Sequence, residues 1–304
     1  MTTLQIKTHN TEGFKDKYIA ADKQLPDLLK TDYGKFFIVK VEDLIRLIKL
    51  PVPPSRATTH TFIFLTEGEA TMTIGSQFYK IFKNECLVVP AGQVYSFAKH
   101  DINKGYLFNF HNDFLVNSQD KNSRPASFEF LHVWGNPHVR ANKQSATYLV
   151  QLLKRIYTDY SKNGLLHQHL IAAYVMAFLY EINLVYKPLS NSTQKASLAL
   201  TNKFKKLLFQ YIKTKHLVTD YATLLHISPN HLNKTIKSIT GKSPTKWIDD
   251  AIVLEAKVLL YQTDAAVNEV AAEIGFLDAS YFTRLFKKHE GITPVQFRKM
   301  IEKS

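Results

Sequence analysis

The last third of this 304-residue chain writes one pattern twice, and any fold it adopts has to accommodate that duplication. Val218, Ala222, Ile227, Leu232, Lys234, Ile236, Lys237, Gly241, Pro244 and Trp247 return as Val267, Ala271, Phe276, Phe282, Arg284, Phe286, Lys287, Gly291, Pro294 and Phe297. The offset is 49 before the Ser228/Leu277 region and 50 after it, so the second copy carries one extra residue in its turn. Agreement in chemistry and spacing over ten positions makes each copy one supersecondary unit.

Each copy predicts a helix, a tight turn and a second helix. Thr219 is the expected N-cap of the first helix, and Ser228 followed by Pro229 gives an N-cap and a proline at the first helical position of the second. Ala222 and Ala271 are small where two helices must cross closely, as a helix-turn-helix requires. Gly241 and Gly291 fall just past the second helices, where a left-handed residue closes a helix. Ser243-Pro244 and Thr293-Pro294 then start further helices anchored by Trp247 and Phe297.

The second helices are two-faced. Leu232 and Ile236, or Phe282 and Phe286, lie four residues apart on an apolar stripe. Opposite them stand Asn230, His231, Asn233, Lys234, Thr235 and Lys237 in one copy, and Ser280, Tyr281, Thr283, Arg284 and Lys287 in the other. Such donors and acceptors suit a major-groove reader, although a polar helix face is by itself ordinarily just solvated. Charge favours the sharper reading. The chain carries a formal +13, and residues 182–248 hold eleven lysines against the single acid Asp220. Residues 249–304 net −2, leaving the second copy with the local cluster Arg284, Lys287 and Lys288. A polyanion is the expected partner.

The first half has a different period. Thr58–Thr66, Thr71–Ile74, Phe78–Ile81, Cys86–Val89, Tyr95–Phe97 and Tyr106–Phe110 are short apolar runs. Turn signals separate them, including Glu67-Gly68-Glu69, Pro90-Ala91-Gly92 and Asn103-Lys104-Gly105, which predicts an antiparallel sandwich or barrel. From Leu149 to Ile182 helical spacing takes over, interrupted at Asn163-Gly164, which predicts an antiparallel helical pair. That pair either packs on its own sheet or also forms a dimer seam. Lys187–Ser197 is poor in apolar residues and reads as a linker. The expected domains are therefore 1–142, a helical pair 143–186, a linker 187–197, and 198–304 with helix-turn-helix units near 217–240 and 266–290. The fold class expected is multi-domain α+β. Cys86, the sole cysteine, reads as a small buried hydrophobe. Met1–Asn10 lacks an apolar core and the longest apolar run, Leu170–Tyr180, is short of the roughly 20 residues of a membrane span. The cytoplasm is the expected location, with no membrane partner.

Val267-Asn268-Glu269-Val270-Ala271, Ile274-Gly275-Phe276, Ser280-Tyr281-Phe282, Arg284, Phe286-Lys287-Lys288 and Gly291-Ile292-Thr293-Pro294 resemble the signature of AraC/XylS-type transcriptional regulators. Ala256-Lys257 with Leu259-Leu260 is similar to that family's central helix, and the resemblance covers roughly Leu207 to Lys299. It implies two helix-turn-helix units joined by one long helix, here about Pro244–Tyr261, that insert into successive major grooves about 10 base pairs apart. Carried over by position, base contacts fall at Asn230, Asn233 and Lys234 and at Ala279, Ser280 and Arg284. Ser228, His231, Lys237, Thr283, Lys287 and Lys288 complete the implied DNA-binding set. Ala251 stands where the family commonly has arginine, and Ile236 where it has phenylalanine. The implied function is that of an effector-responsive activator acting on double-stranded DNA with RNA polymerase, as a homodimer.

The β-rich half resembles the cupin-like sensor barrels attached to this family. Catalytic cupins hold a metal with two close histidines, a glutamate and a later histidine. Here Phe62 follows His60 where a second histidine would stand, and Tyr95 replaces the later one. One imidazole is too few for a metal, so neither cofactor nor catalysis is expected. A barrel without metal can still hold a small-molecule effector. By alternation its walls are His60, Phe62, Phe64, Tyr79, Tyr95 and Phe97, residues that core packing explains as well. Two other readings compete: a metal-dependent cupin enzyme with an accessory domain, and an architectural DNA-binding protein without sequence preference.

Overall fold

The computed structural model describes residues 11–23, 25–31, 33–56, 59–97, 101–115, 128–133, 135–187 and 195–302. The chain divides into two compact units, Thr8–Pro188 and Leu189–Ser304. In chain order the N-terminal unit contains α1 (Thr11–Tyr18), α2 (Leu25–Leu28), β1 (Phe36–Lys40), α3 (Val41–Ile45), β2 (Val52–Arg56), β3 (His60–Ile74) and β4 (Gln77–Phe82). There follow β5 (Glu85–Val89), β6 (Val94–Phe97), β7 (Asn103–Phe110), β8 (His138–Arg140), α4 (Lys143–Asn163) and α5 (Gln168–Val185). The C-terminal unit contains α6 (Lys195–Tyr211), α7 (Val218–Leu224), α8 (Pro229–Thr240), α9 (Pro244–Gln262), α10 (Val267–Glu273), α11 (Ala279–Glu290) and α12 (Pro294–Glu302).

Strand β3 organises the N-terminal unit. Its first half lies between β7 and β5 in the layer β1-β7-β3-β5-β8, and its second half pairs with β4 and β6, the latter carrying β2. Glu67-Gly68-Glu69, expected to be a turn between two strands, is instead a bulge inside one. The register with β7 shifts between Leu65 and Glu67, and Gly68 has φ 76°. A Cβ at Gly68 would lie 2.1 Å from the Ile102 carbonyl oxygen, so only glycine lets the two strands approach there. Asn103-Lys104-Gly105 likewise lies inside β7, its backbone paired with β3.

Both faces of β3 are buried, and they serve different cores. Phe62 and Phe64 join Phe108, Phe110, Cys86 and Val88 on the face that α5 covers; Phe62 stacks on Phe108 at 4.7 Å, and Phe178 meets Phe108 edge-on at 5.1 Å. Ile63 and Leu65 point the other way, into an interior cluster with Met72, Ile74, Ile81, Leu87 and Val89. The helices α4 and α5 pack on each other, joined by a turn in which Asp159 accepts from Asn163 Nδ2 and faces His167.

In the C-terminal unit the duplication is visible as geometry. Helices α7 and α10 start 49 residues apart, whereas α8 and α11 start 50 apart. The extra residue falls in the turn that holds the fully exposed Leu277. Helix α6 packs on α7 and α8, as α9 packs on α10 and α11, so α9 ends one unit and begins the next. The linker reading needs shortening, because α6 already begins at Lys195; residues 188–194 lie outside the described set. Thr219 is not an N-cap either. Helix α7 starts two residues earlier than that cap implies, and the Leu217 N–H donates to the Asp220 carboxylate at 3.0 Å, as the Ala266 N–H donates to Glu269 at 2.7 Å in the second copy. An acid at the third helical position caps both first helices, a device that a search for cap hydroxyls passes over.

Candidate nucleic-acid interface and ligand cavity

The two second helices are built alike from cap to cap. Ser228 Oγ accepts from the His231 N–H at 3.2 Å at the start of α8, and Asp278 accepts from the Ser280 N–H at 2.7 Å at the start of α11. That N–H holds the Asp278 carboxyl below the usual carboxylate range, so it is ionised at the positive end of the helix. Gly241 and Gly291 close the helices in the left-handed conformation, each N–H returning to a lysine carbonyl, Lys237 or Lys287. Gly275, in the turn between α10 and α11, is fixed by space as well as by its φ of 87°, since a Cβ there would stand 2.2 Å from the Lys213 carbonyl oxygen.

Residues 231–240 and 281–290 share one burial pattern, position for position. Leu232, Ile236, Phe282 and Phe286 are fully buried, which fixes the rotation of each helix about its axis. Ser228, Asn230, His231, Lys234 and Lys237 are therefore exposed on α8, and Ser280, Arg284, Lys287 and Lys288 on α11. Asn233, Ala279 and Thr283 are half-buried at the edge of the same faces. Thr235 is not on that face. It is buried, because positions 232, 235 and 236 form one i, i+3, i+4 stripe. Tyr281 is exposed, and the Arg284 guanidinium stands 6.0 Å from its ring centroid, which holds the arginine along the helix.

The acids that give residues 249–304 their negative balance are largely used inside the unit. Asp250 takes Lys242 at 3.2 Å and Lys246 at 3.0 Å, Glu290 takes Lys257 at 2.9 Å, and Glu273 takes Lys213 at 2.7 Å. Lys234, Lys237, Lys287 and Lys288 form no ion pair among the described residues, so the reading faces keep their positive charge. Each half also has an aromatic anchor under a lysine. Trp247 lies under Lys205 at 4.6 Å and donates to Thr240 Oγ1 at 3.0 Å, while Phe297 lies under Lys257 at 5.5 Å. Lys205, buried in this contact, is a cation that helical periodicity alone does not single out. Arg298 donates to the Ala265 carbonyl and ties α12 to the start of the second unit.

The N-terminal unit encloses a cavity of about 130 Å³. Of the six wall residues expected by alternation, Tyr95 and Phe97 line it. His60, Phe62 and Phe64 do not: they lie on the other face of β3, and the cavity is lined instead by Thr59, Thr61 and Ile63, one residue out of phase. Tyr79 sits on β4 with its hydroxyl donating to Gln77 Oε1 at 2.7 Å; burial raises its pKa to about 12. Since β3 is apolar on both faces, its period of two carries no mark of which face borders open space. His60 is buried and its Nδ1 accepts from the Ala91 N–H at 3.0 Å. Among the described residues no group of three His, Cys, Asp or Glu side chains is placed to hold a metal ion. Asn103 and Asn109, which line the cavity from β7, were the residues sequence reasoning missed. The signal for Asn109 was an amide inside the apolar run Tyr-Leu-Phe-Asn-Phe.

The family match falls in the C-terminal unit. Residues 221–300 match the family described as Helix-turn-helix domain. The chain is 29% identical over 98 residues to the uncharacterized HTH-type transcriptional regulator YisR of Bacillus subtilis, covering 32% of this chain and 34% of that one. It is 40% identical over 79 residues to the bifunctional transcriptional activator/DNA repair enzyme AdaA of the same organism, covering 26% and 37%. Over 72 residues it is 36% identical to the arabinose operon regulatory protein of Escherichia coli, covering 24% and 25%. The chain thus spans about a third of the length of the first curated relatives it matches.

Proposed function

We propose that this chain, whose C-terminal unit belongs to the AraC/XylS family of transcription regulators, is a sequence-specific DNA-binding regulator whose N-terminal unit responds to a small molecule. The observation that carries the reading is the pair α8 and α11. They have the same burial pattern and the same left-handed glycine at the C-cap, but different N-caps, Ser228 and Asp278, and differently decorated exposed faces. Two equally oriented helices with different readers suit two different half-sites in successive major grooves. A packing protein without sequence preference gains nothing from that difference.

In this reading Asn230, Asn233, Lys234, Ala279, Ser280 and Arg284 meet base edges. Ser228, His231, Lys237, Thr283, Lys287 and Lys288 meet phosphates or flank the bases. Arg284→Ala is expected to lower the preference for cognate over random duplex by about 1–3 kcal/mol. Lys237→Ala, by contrast, is expected to weaken all duplexes alike and reduce the salt slope by about one. Competition binding at several salt concentrations separates the two effects. An unchanged preference in Arg284→Ala removes it from the base contacts.

The N-terminal unit is read as a cupin-like sensor whose cavity takes the effector, and ligand binding favours one of two arrangements of the DNA-binding units. The helical pair is read as the dimer contact, for which α5 supplies the support. Two of its apolar stripes lie on opposite sides. Ile171, Val175, Phe178 and Ile182 are buried, whereas Leu170, Ala173, Tyr180 and Leu184 are exposed and Ala177 is half-buried, at alternating spacings of three and four. That second stripe has the period of a coiled-coil seam. It also explains why α5 is long and apolar enough by composition to cross a membrane: the helix is apolar on both sides. The reading takes the acting state to be a cytoplasmic dimer that activates transcription through RNA polymerase.

A further inference from the structure

We infer that a cluster built around His289 locks the two helix-turn-helix units to each other, which makes His289 a positioning residue for DNA and limits the chain to one spacing of its half-sites. The inference rests on the reading of α8 and α11 as the DNA-reading helices and names what sets the distance between them.

What the two copies share builds each unit, and what only one of them carries is free to join the two. His289 and Glu290 end α11 where the first copy has Ile239 and Thr240, and Asp249 and Asp250 stand on α9 where the second copy has Lys299 and Met300. His289 Nε2 faces Asp249 Oδ2 at 3.5 Å, and its Nδ1 faces Asp250 Oδ1 at 3.5 Å and Lys246 Nζ at 3.2 Å. The imidazole is 7% exposed and the two carboxylates 21% and 14%. Asp250 also takes Lys242, from the turn that follows α8, so one carboxylate joins the end of α8, the start of α9 and the end of α11. Glu290 takes Lys257, seven positions beyond Asp250 and so about 10 Å further along α9. Two attachments that far apart stop α11 from swinging about its crossing with α9.

A second set of contacts bypasses α9. Lys213, in the turn after α6, donates to Glu273 Oε1 of α10 at 2.7 Å, where the first copy has Leu224. His216 stacks on Phe276 at 4.4 Å with planes 17° apart, and Gly275 presses on the Lys213 carbonyl. Both ends of α11 are therefore tied to the first unit. Isolated ion pairs on a surface hold little. Here the partners are largely buried and shared, and removing the imidazole leaves Asp249 and Asp250 beside a void, without the group that linked them to α11. Locked reading helices meet one geometry of duplex. One base pair inserted between the half-sites moves the second by about 3.4 Å and turns it by about 35°, which a rigid pair cannot follow without giving up contacts in one groove.

Cys86 is buried, so spin labels attach to the cysteines of Asn230→Cys and Ser280→Cys, exposed at equivalent positions of α8 and α11. Pulsed electron resonance on the full chain without DNA is expected to give one narrow distance distribution, broadened by His289→Ala and restored by His289→Gln, whose amide keeps a donor and an acceptor. Selection from random duplex DNA reads the consequence. The native chain is expected to return its two half-motifs at one spacing, with a one-base-pair insertion weakening binding at least about tenfold. His289→Ala combined with Glu273→Gln is expected to return the same half-motifs at several spacings, with that penalty reduced to within about threefold. The inference is overturned if the native distribution is already broad, if His289→Ala leaves its width unchanged, or if the double variant keeps the native spacing penalty. If His289→Ala does not fold, Glu273→Gln alone, which opens the other end of α11, carries the same two measurements. A native chain that selects no motif defeats the DNA-reading proposal, and the distance distributions then decide the lock by themselves.

Discussion

Phe282→Ala is expected to cost the C-terminal unit about 3–5 kcal/mol. The ring is fully buried in α11 between Phe276 at 5.8 Å and Phe286 at 6.0 Å, beneath the crossing of α10 and α11. Removing it leaves a void under the helix that carries Arg284 and lets that helix roll, so stability and DNA affinity fall together. Chemical denaturation followed beside DNA binding checks both. Lys288→Ala, exposed on the same helix, should stay within about 0.5 kcal/mol in stability. A loss below about 1 kcal/mol for Phe282→Ala would mean that its packing does not hold α11 in place.

The second large effect is expected at α5. Ala173→Glu combined with Leu184→Glu puts two carboxylates on the outward stripe, where both native residues are exposed. Helical content should therefore be unchanged. Sedimentation is expected to shift from dimer to monomer, and affinity for DNA carrying two copies of the site to fall by about 10²–10⁴, with a single copy bound as before. A dimer that survives the double change places the contact elsewhere. A wild-type chain that is monomeric but sediments with lipid vesicles makes the stripe a membrane-facing one.

How much of this could be read from residues depends on where each signal lay. The duplicated unit was legible because caps, small crossing residues and closing glycines recur at fixed offsets, and because a helix with one apolar stripe states its own orientation, as Leu232 and Ile236 do. The cavity wall was not legible. Phe62 and Ile63 are neighbours on β3 and both are buried, so alternation offered two equal faces, and the one with the larger rings proved to be the helix-covered side. The outward stripe of α5 was hidden for a related reason, since Leu170 and Ile171 are adjacent apolar residues that serve opposite sides of one helix. Glu67-Gly68-Glu69 looked like a turn because a bulge uses the same glycine.

The charge balance acquires a physical consequence. Residues 182–248 hold eleven lysines and one acid, and Lys213, Lys242 and Lys246 among those lysines pair with acids further on, whereas most acids from residue 249 onward are paired or cap helices within the unit. Phosphate attraction is therefore expected to come more from the α8 side, and discrimination between sequences more from Arg284 on α11. Selection of bound sites from random duplex DNA with the full chain tests the central claim directly. The account predicts two different half-motifs about 10 base pairs apart, the one under α11 containing a guanine whose selection disappears in Arg284→Ala. Recovery of sequences with no shared motif, at an affinity set by salt alone, would contradict it.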